Sequence, residues 1–275
     1  MPFFVIPFPV IDPVLVEIGP FPIRWYGLAY VAGLLLGWLY ARALVKRETL
    51  WGGARHPSAQ SLDDLLVYCA LGVIIGGRLG NVLFYDFGYY LTNPLKIFAV
   101  WEGGMAFHGG LIGACIAIWL FARREKAPLL SVTDICASVV PIGIFFGRLA
   151  NFIKPEMWGR PSDVSWAMIF PDAGPLARHP SQLYEAGLEG LLLLVLLALA
   201  VRAGALARPG LVTGLFGAGY ALARTFSEIY REPDPRSEAI GNGDFTMGMA
   251  LSAPLLLIGG WLIIRALRRR AVDAA

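Results

Sequence analysis

Seven stretches of about twenty mostly apolar residues divide this chain. In lipid a stretch of that kind has essentially one solution, a helix that satisfies its own backbone. They fall at about 25–45, 62–85, 97–122, 131–152, 182–201, 211–230 and 246–266. Hydrophobic residues make up 57% of the 275 and charged ones 16%, too apolar a balance for a soluble domain of this length. No long polar segment separates a second domain. The expected fold class is therefore an all-α polytopic membrane protein, one unit over 1–275 with about seven transmembrane helices. Two spans are interrupted. The third carries Glu102-Gly103-Gly104 and His108-Gly109-Gly110, which predicts an unwound outer part, and the sixth carries Arg224 and Glu228.

The placement of Lys and Arg sets the expected orientation. One set of connections holds thirteen, from Arg42, Lys46 and Arg47 through Arg123, Arg124 and Arg202 to Arg268, Arg269 and Arg270. The opposite set holds six: Lys96, Lys154, Arg160, Arg178, Arg231 and Arg236. This puts the N-terminus outside and the C-terminus in the cytoplasm, with 153–181 as a small cap over the outer face. Met1 to Pro22, rich in proline and without Lys or Arg, is expected along the membrane surface. Cys69, Cys115 and Cys136 lie in apolar segments and suggest neither a disulfide framework nor a metal site. Leu111 to Cys115 resembles a lipidation box only faintly, being mid-chain in a span.

Arg78, Arg148, Arg224 and His108 lie inside spans, and an ionisable group at membrane depth costs at least about 2.5 kcal/mol, so each calls for a function. The helical rise puts them roughly 21–26 Å above the inner ends of their spans, in the outer half of the bilayer. Arg24 and Tyr26 open the first span from that side. Several helices thus deliver polar groups to one level, suited to an anionic headgroup.

Arg148 and Asn151 are three apart and share a helix face. A guanidinium presents a planar fork of donors that fits phosphate, though a lone arginine here also reads as one snorkelling to the interface. Tyr220, Arg224 and Glu228 form one stripe, compatible with a buried ion pair and with a second phosphate-directed arginine held by Glu228. Glu185 and Glu189 are expected to pair structurally. His108 sits beside glycines that allow close approach, and reads either as a general base or as a group bonded to a carbonyl or headgroup. The many span glycines, Gly76, Gly77, Gly80, Gly109, Gly110, Gly113, Gly143 and Gly147 among them, are expected to serve helix packing. Tyr85-Asp86 with Gly241-Asn242-Gly243-Asp244 superficially matches intramembrane aspartyl proteases, but both aspartates fall at span ends. There is no rhomboid-type serine motif and no paired-aspartate helix of phospholipid-forming transferases.

Gly19-Pro20 with Ile23-Arg24-Trp25-Tyr26-Gly27-Leu28, the Gly103–Gly110 stretch and Gly147-Arg148-Leu149-Ala150-Asn151-Phe152 form an ordered set of motifs. His179-Pro180-Ser181-Gln182-Leu183-Tyr184-Glu185 and Arg224…Glu228…Arg231-Glu232-Pro233-Asp234 complete it. In order over about 15–250, the set resembles the prolipoprotein diacylglyceryl transferases of bacteria. The resemblance implies transfer of the diacylglyceryl group of phosphatidylglycerol to the lipobox cysteine of a prolipoprotein in the inner membrane, releasing glycerol phosphate. No metal or cofactor and no nucleic acid is implied. It implies essential roles for His108, Arg148, Asn151, Arg224 and Tyr26, with Glu156, Gly159, Tyr220 and Glu228 lining the site. Arg148 and Arg224 are then the candidate stabilisers of charge on the leaving phosphate and His108 the candidate base. Tyr26 and Asn151 are candidates to position the headgroup, and Arg78 to hold it at the periphery. The rival reading is a transporter of an anionic solute or lipid, for which buried arginines are also apt and inverted repeats, not detected here, are the usual sign.

Overall fold

A computed structural model of the chain describes residues 6–19, 21–233 and 246–273. Met1–Val5, Pro20, Asp234, Arg236 and Gly241 to Asp244 lie outside the described residues, as do the side chains of Arg269 and Arg270. The helices are α1 Trp25–Val45, α2 Ser61–Phe84, a short α3 Phe87–Thr92, α4 Phe107–Arg124 and α5 Leu129–Ile153. Then α6 Ser181–Glu185 continues through a π-helical segment, Ala186–Leu192, into α7 Leu193–Arg202, followed by α8 Leu211–Tyr230 and α9 Met247–Asp273. Each of the seven apolar runs contains a long helix, and the chain is an all-α polytopic membrane protein. By length and composition alone five helices can cross a bilayer: α1, α2, α5, the α6–α7 unit and α9. The two interrupted runs, α4 and α8, do not reach that apolarity.

The third run corrects the expected boundary. Its helix starts at Phe107, not near 97, because Gly103 and Gly104 take left-handed φ of 84° and 71° and turn the chain before it. The segment ahead of that turn is built of 3₁₀ turns at Pro94–Phe98 and Val100–Glu102. Lys96 pairs with Glu102 at 2.5 Å across them, and that bond raises the ammonium's pKa above its ordinary value.

Antiparallel packing follows from where the glycines meet. Gly72 lies against Gly113 and Gly80 against Gly109, so that α2 and α4 touch backbone to backbone; a Cβ on Gly80 would sit 2.8 Å from the Gly109 Cα. Gly33 on α1 meets Gly143 on α5, and Gly214 on α8 meets Gly259 on α9. Gly147, by contrast, has open space around it, so packing does not explain it. Alternation brings the starts of α1, α4, α6 and α9 and the ends of α2, α5 and α8 to one end of the bundle.

At that end 153–181 is largely irregular. The N-terminal segment is tied to it: β1 (Ile6–Pro7) pairs in parallel with β4 (Met168–Ile169), and Phe8 packs on Phe152 and Phe170 with ring centroids 5.1 Å away. A hairpin of β2 (Val14–Ile18) and β3 (Phe21–Arg24) then leads into α1. The main apolar core, with Trp51, Phe121, Val132 and Leu206, lies toward the other end.

There the wholly buried Asp134 on α5 caps a different helix. It accepts from the Gly210 and Thr213 amides, both at 2.7 Å, and from the Thr213 hydroxyl at 2.6 Å, satisfying the open N–H groups that begin α8. Asp134→Ala should cost about 2–3 kcal/mol, the sum of a lost cap and buried donors left bare. Asp134→Asn, which keeps an acceptor, should cost less. Thermal unfolding in detergent checks this, and an unchanged midpoint for the alanine variant contradicts it.

Candidate active site

Three arginines and three carboxylates meet between α5, α6, the π segment and α8. Glu185, closing α6, is fully buried and shared by all three cations. Its Oε2 lies 3.0 Å from Arg148, and its Oε1 lies 2.7 Å from Arg224 and 2.9 Å from Arg231. Glu189, also fully buried, is 3.4 Å from Arg148 and 3.7 Å from Arg224, while Glu228 holds Arg224 at 2.7 Å.

The local sequence explains the convergence. The π-helical turn re-spaces Glu185 and Glu189, and π segments of this kind are rare and concentrate at functional sites. Gly190 lets that turn abut α5, since a Cβ there would stand 2.7 Å from the Phe145 Cβ, one turn before Arg148. Arg224 and Glu228 sit one turn apart on α8, and Arg231 follows at its end.

Exposure gives the cluster a direction. The side chains of Arg148, Arg224 and Arg231 are 18%, 14% and 16% exposed, whereas those of Glu185 and Glu189 are at 0%. The guanidiniums therefore lie nearer the surface, with the Glu185 and Glu189 carboxylates beneath them. Several of the ion pairs are close without being well-aligned hydrogen bonds: Glu185 Oε2, Glu189 Oε1 and Glu228 Oε2 lack an aligned donor among the described residues. The forks are held by charge and are not all closed in bidentate pairs, so the site can accept a further anionic oxygen.

A second polar group lies at the rim, reached along α5 from Arg148. Asn151 donates to Glu156 at 2.8 Å, Lys154 pairs with the same carboxylate at 2.7 Å, and the Lys154 ammonium stands 5.7 Å from the Tyr26 ring centre. The Tyr26 and Tyr30 hydroxyls are 3.5 Å apart. Gly159 anchors the cap: its amide donates to the His179 carbonyl at 2.9 Å, and the Arg160 amide donates to the Tyr230 carbonyl at 2.8 Å. A Cβ on Gly159 would lie 2.5 Å from that same Tyr230 oxygen, so only glycine fits. Burial pushes the His179 imidazole below its ordinary pKa, and its Nδ1 lies 3.0 Å from the Tyr184 hydroxyl. Tyr220 lies one turn from Arg224 and stacks on Phe216.

Two expected members stand apart. His108 is exposed in the first turn of α4, with the neighbouring Phe107 ring as its aromatic contact and no hydrogen bond to the arginine cluster. Arg78 is held by a different set of partners from the cluster. It is 4% exposed, and its guanidinium is taken up by backbone carbonyls of Lys96, Ile97, Ala99, Gly103 and Gly104, with Tyr90 against its face. Because the 97–106 stretch is not helical, its carbonyls need donors, and Arg78 supplies five N–H groups. Arg231 is the cluster member that sequence reasoning left among the outer-loop charges. Its place seven residues after Arg224 and three after Glu228, on one helical stripe, is the signal that points to it.

A family model described as prolipoprotein diacylglyceryl transferase matches residues 13–265. A protein of Methylocella silvestris named phosphatidylglycerol–prolipoprotein diacylglyceryl transferase is 60% identical, the match covering 98% of this chain and 99% of that one. Like-named proteins of Rhodopseudomonas palustris and Rhizobium meliloti are each 55% identical, over 100% and 98% of this chain and 97% of their own. The matched stretch takes in every helix that builds the arginine–carboxylate cluster and its rim, and by that extent of likeness the chain belongs to the prolipoprotein diacylglyceryl transferase family.

Proposed function

We propose that this membrane enzyme transfers the diacylglyceryl group of phosphatidylglycerol to the lipobox cysteine thiol of a prolipoprotein. The observation that carries the reading is the cationic face of Arg148, Arg224 and Arg231 over buried carboxylates, a receptor for a phosphodiester at membrane depth. The thiolate sulfur attacks the glycerol carbon that bears the phosphodiester. An S–C bond forms, the C–O bond breaks, and glycerol phosphate leaves with the bonding pair and an added negative charge. Arg148 and Arg224 stabilise that charge, as fixed donors do at a developing anion. Glu185, Glu189 and Glu228 position them. Tyr26, Asn151 and Glu156 meet the headgroup at the rim, Tyr220 lines the interior, and Gly159 seats the cap. Arg78 shapes the segment that leads to His108. The test is purified protein in phosphatidylglycerol vesicles with a lipobox peptide: the cysteine peptide gains the diacylglyceryl mass. Modification of a cysteine-to-serine peptide, or equal use of phosphatidylcholine as donor, sinks the reading.

His108 takes the thiol proton. A free thiol ionises near pH 8.5, so below that a base is needed. His108→Gln should slow transfer at least about a hundredfold, leave lipid binding nearly intact, and recover in part as pH rises. Weakened lipid binding with a flat pH profile assigns His108 to the headgroup instead.

The site faces the outer leaflet of the bacterial inner membrane, with the N-terminus outside and the C-terminus in the cytoplasm. In a variant without Cys69, Cys115 and Cys136, a cysteine at Ser162 should react with an impermeant reagent in sealed cells and one at Ser58 should not. The reverse pattern inverts the orientation. Ser237, suited to the same test by sequence, lies outside the described residues, as does the side chain of Ala271.

A further inference from the structure

At the end of the bundle opposite the arginine–carboxylate cluster, a cleft of about 280 Å³ opens between the last turns of α1, the middle of α5 and α7. Ile142, Leu194 and Ala198 contribute apolar wall, and Tyr40, Arg47 and Arg202 contribute the polar edge. The two arginines differ from Arg42, Arg124 and Arg55 at the same end. Arg42 pairs with Asp63 at 3.3 Å, Arg124 with Asp64 at 3.2 Å, and Arg55 donates to the Lys126 carbonyl. Among the described residues the guanidiniums of Arg47 and Arg202 have neither an ion pair nor a hydrogen bond, and both residues are exposed. Two unpaired guanidiniums at the interface end of an apolar cleft match one kind of molecule in charge and in shape. The molecule has a phosphate at one end and an acyl chain at the other.

We propose that this cleft holds one anionic phospholipid, separate from the donor site. Its phosphate lies between Arg47 and Arg202, with the Tyr40 hydroxyl at its edge, and one acyl chain runs along Ile142, Leu194 and Ala198. A phosphate ion alone would leave the apolar wall uncovered, and a zwitterionic lipid would bring a cation to two arginines. The bound lipid bridges α1 and α7 across a gap that side chains do not fill.

Native mass spectrometry of the intact protein released from phosphatidylglycerol nanodiscs reads the number of retained lipids. The wild type should hold one phosphatidylglycerol more than the Arg47→Gln/Arg202→Gln double variant. Ala198→Phe, which fills the wall and leaves both charges, should lose the same lipid. Transfer to a lipobox peptide should be unchanged in the double variant, because neither arginine lies near the cluster. Equal lipid counts in wild type and double variant overturn the proposal, as does equal retention from phosphatidylcholine nanodiscs. Displacement by inorganic phosphate, or loss of transfer in the double variant, overturns it too.

Discussion

Glu185→Ala is expected to destabilise the protein by about 3–5 kcal/mol or more, the usual cost of removing one partner from a buried charge pair. One carboxylate here serves three guanidiniums, at 3.0, 2.7 and 2.9 Å, and it has no exposure through which water might replace it. Without it Arg148, Arg224 and Arg231 repel one another in a low-dielectric site. Glu185→Gln keeps the volume and an acceptor but loses the charge, so it should fall between alanine and wild type. Thermal unfolding in detergent gives the order, and an alanine variant that melts with the wild type would remove Glu185 from the centre of the cluster.

Loss of transfer should be largest at Arg148 and Arg224, about a hundred- to a thousandfold for each fixed donor removed from a developing anion. Alanine is a poor probe here, because Arg224→Ala leaves Glu228 without its partner and takes one cation from Glu185 and Glu189 as well as removing a donor. Lysine is therefore the informative substitution. It keeps the charge that the carboxylates require but presents a point in place of a planar fork. Arg148→Lys and Arg224→Lys should stay folded while turnover falls at least about a hundredfold. Near-normal turnover in either excludes that arginine from the reaction.

What the sequence revealed and what it hid have physical causes. Long apolar runs have one solution in lipid, so the seven helices were legible. The glycines that break regularity at Gly103 and Gly104 marked the late start of α4 without giving its length. The cost of burying Arg148 and Arg224 pointed to their site, but not to what holds them. That depends on a π turn between Glu185 and Glu189, which no helical periodicity anticipates. For Arg78 the expected depth gave no direction: its guanidinium satisfies carbonyls of an unwound segment. The tie between the N-terminal segment and the cap rests on pairing far apart in sequence, Ile6 with Met168, and local pattern carries no trace of it.

The central claim is that the arginine cluster receives the donor's phosphodiester and releases it as a phosphomonoester. Modified peptide and free glycerol phosphate, measured together in one reaction with purified protein and phosphatidylglycerol vesicles, test it most directly. One glycerol phosphate is expected for each thioether formed, with both products falling together in Arg148→Lys and Arg224→Lys. Peptide modified without release of glycerol phosphate, or vesicles that pass an organic anion while the peptide stays unmodified, contradicts it.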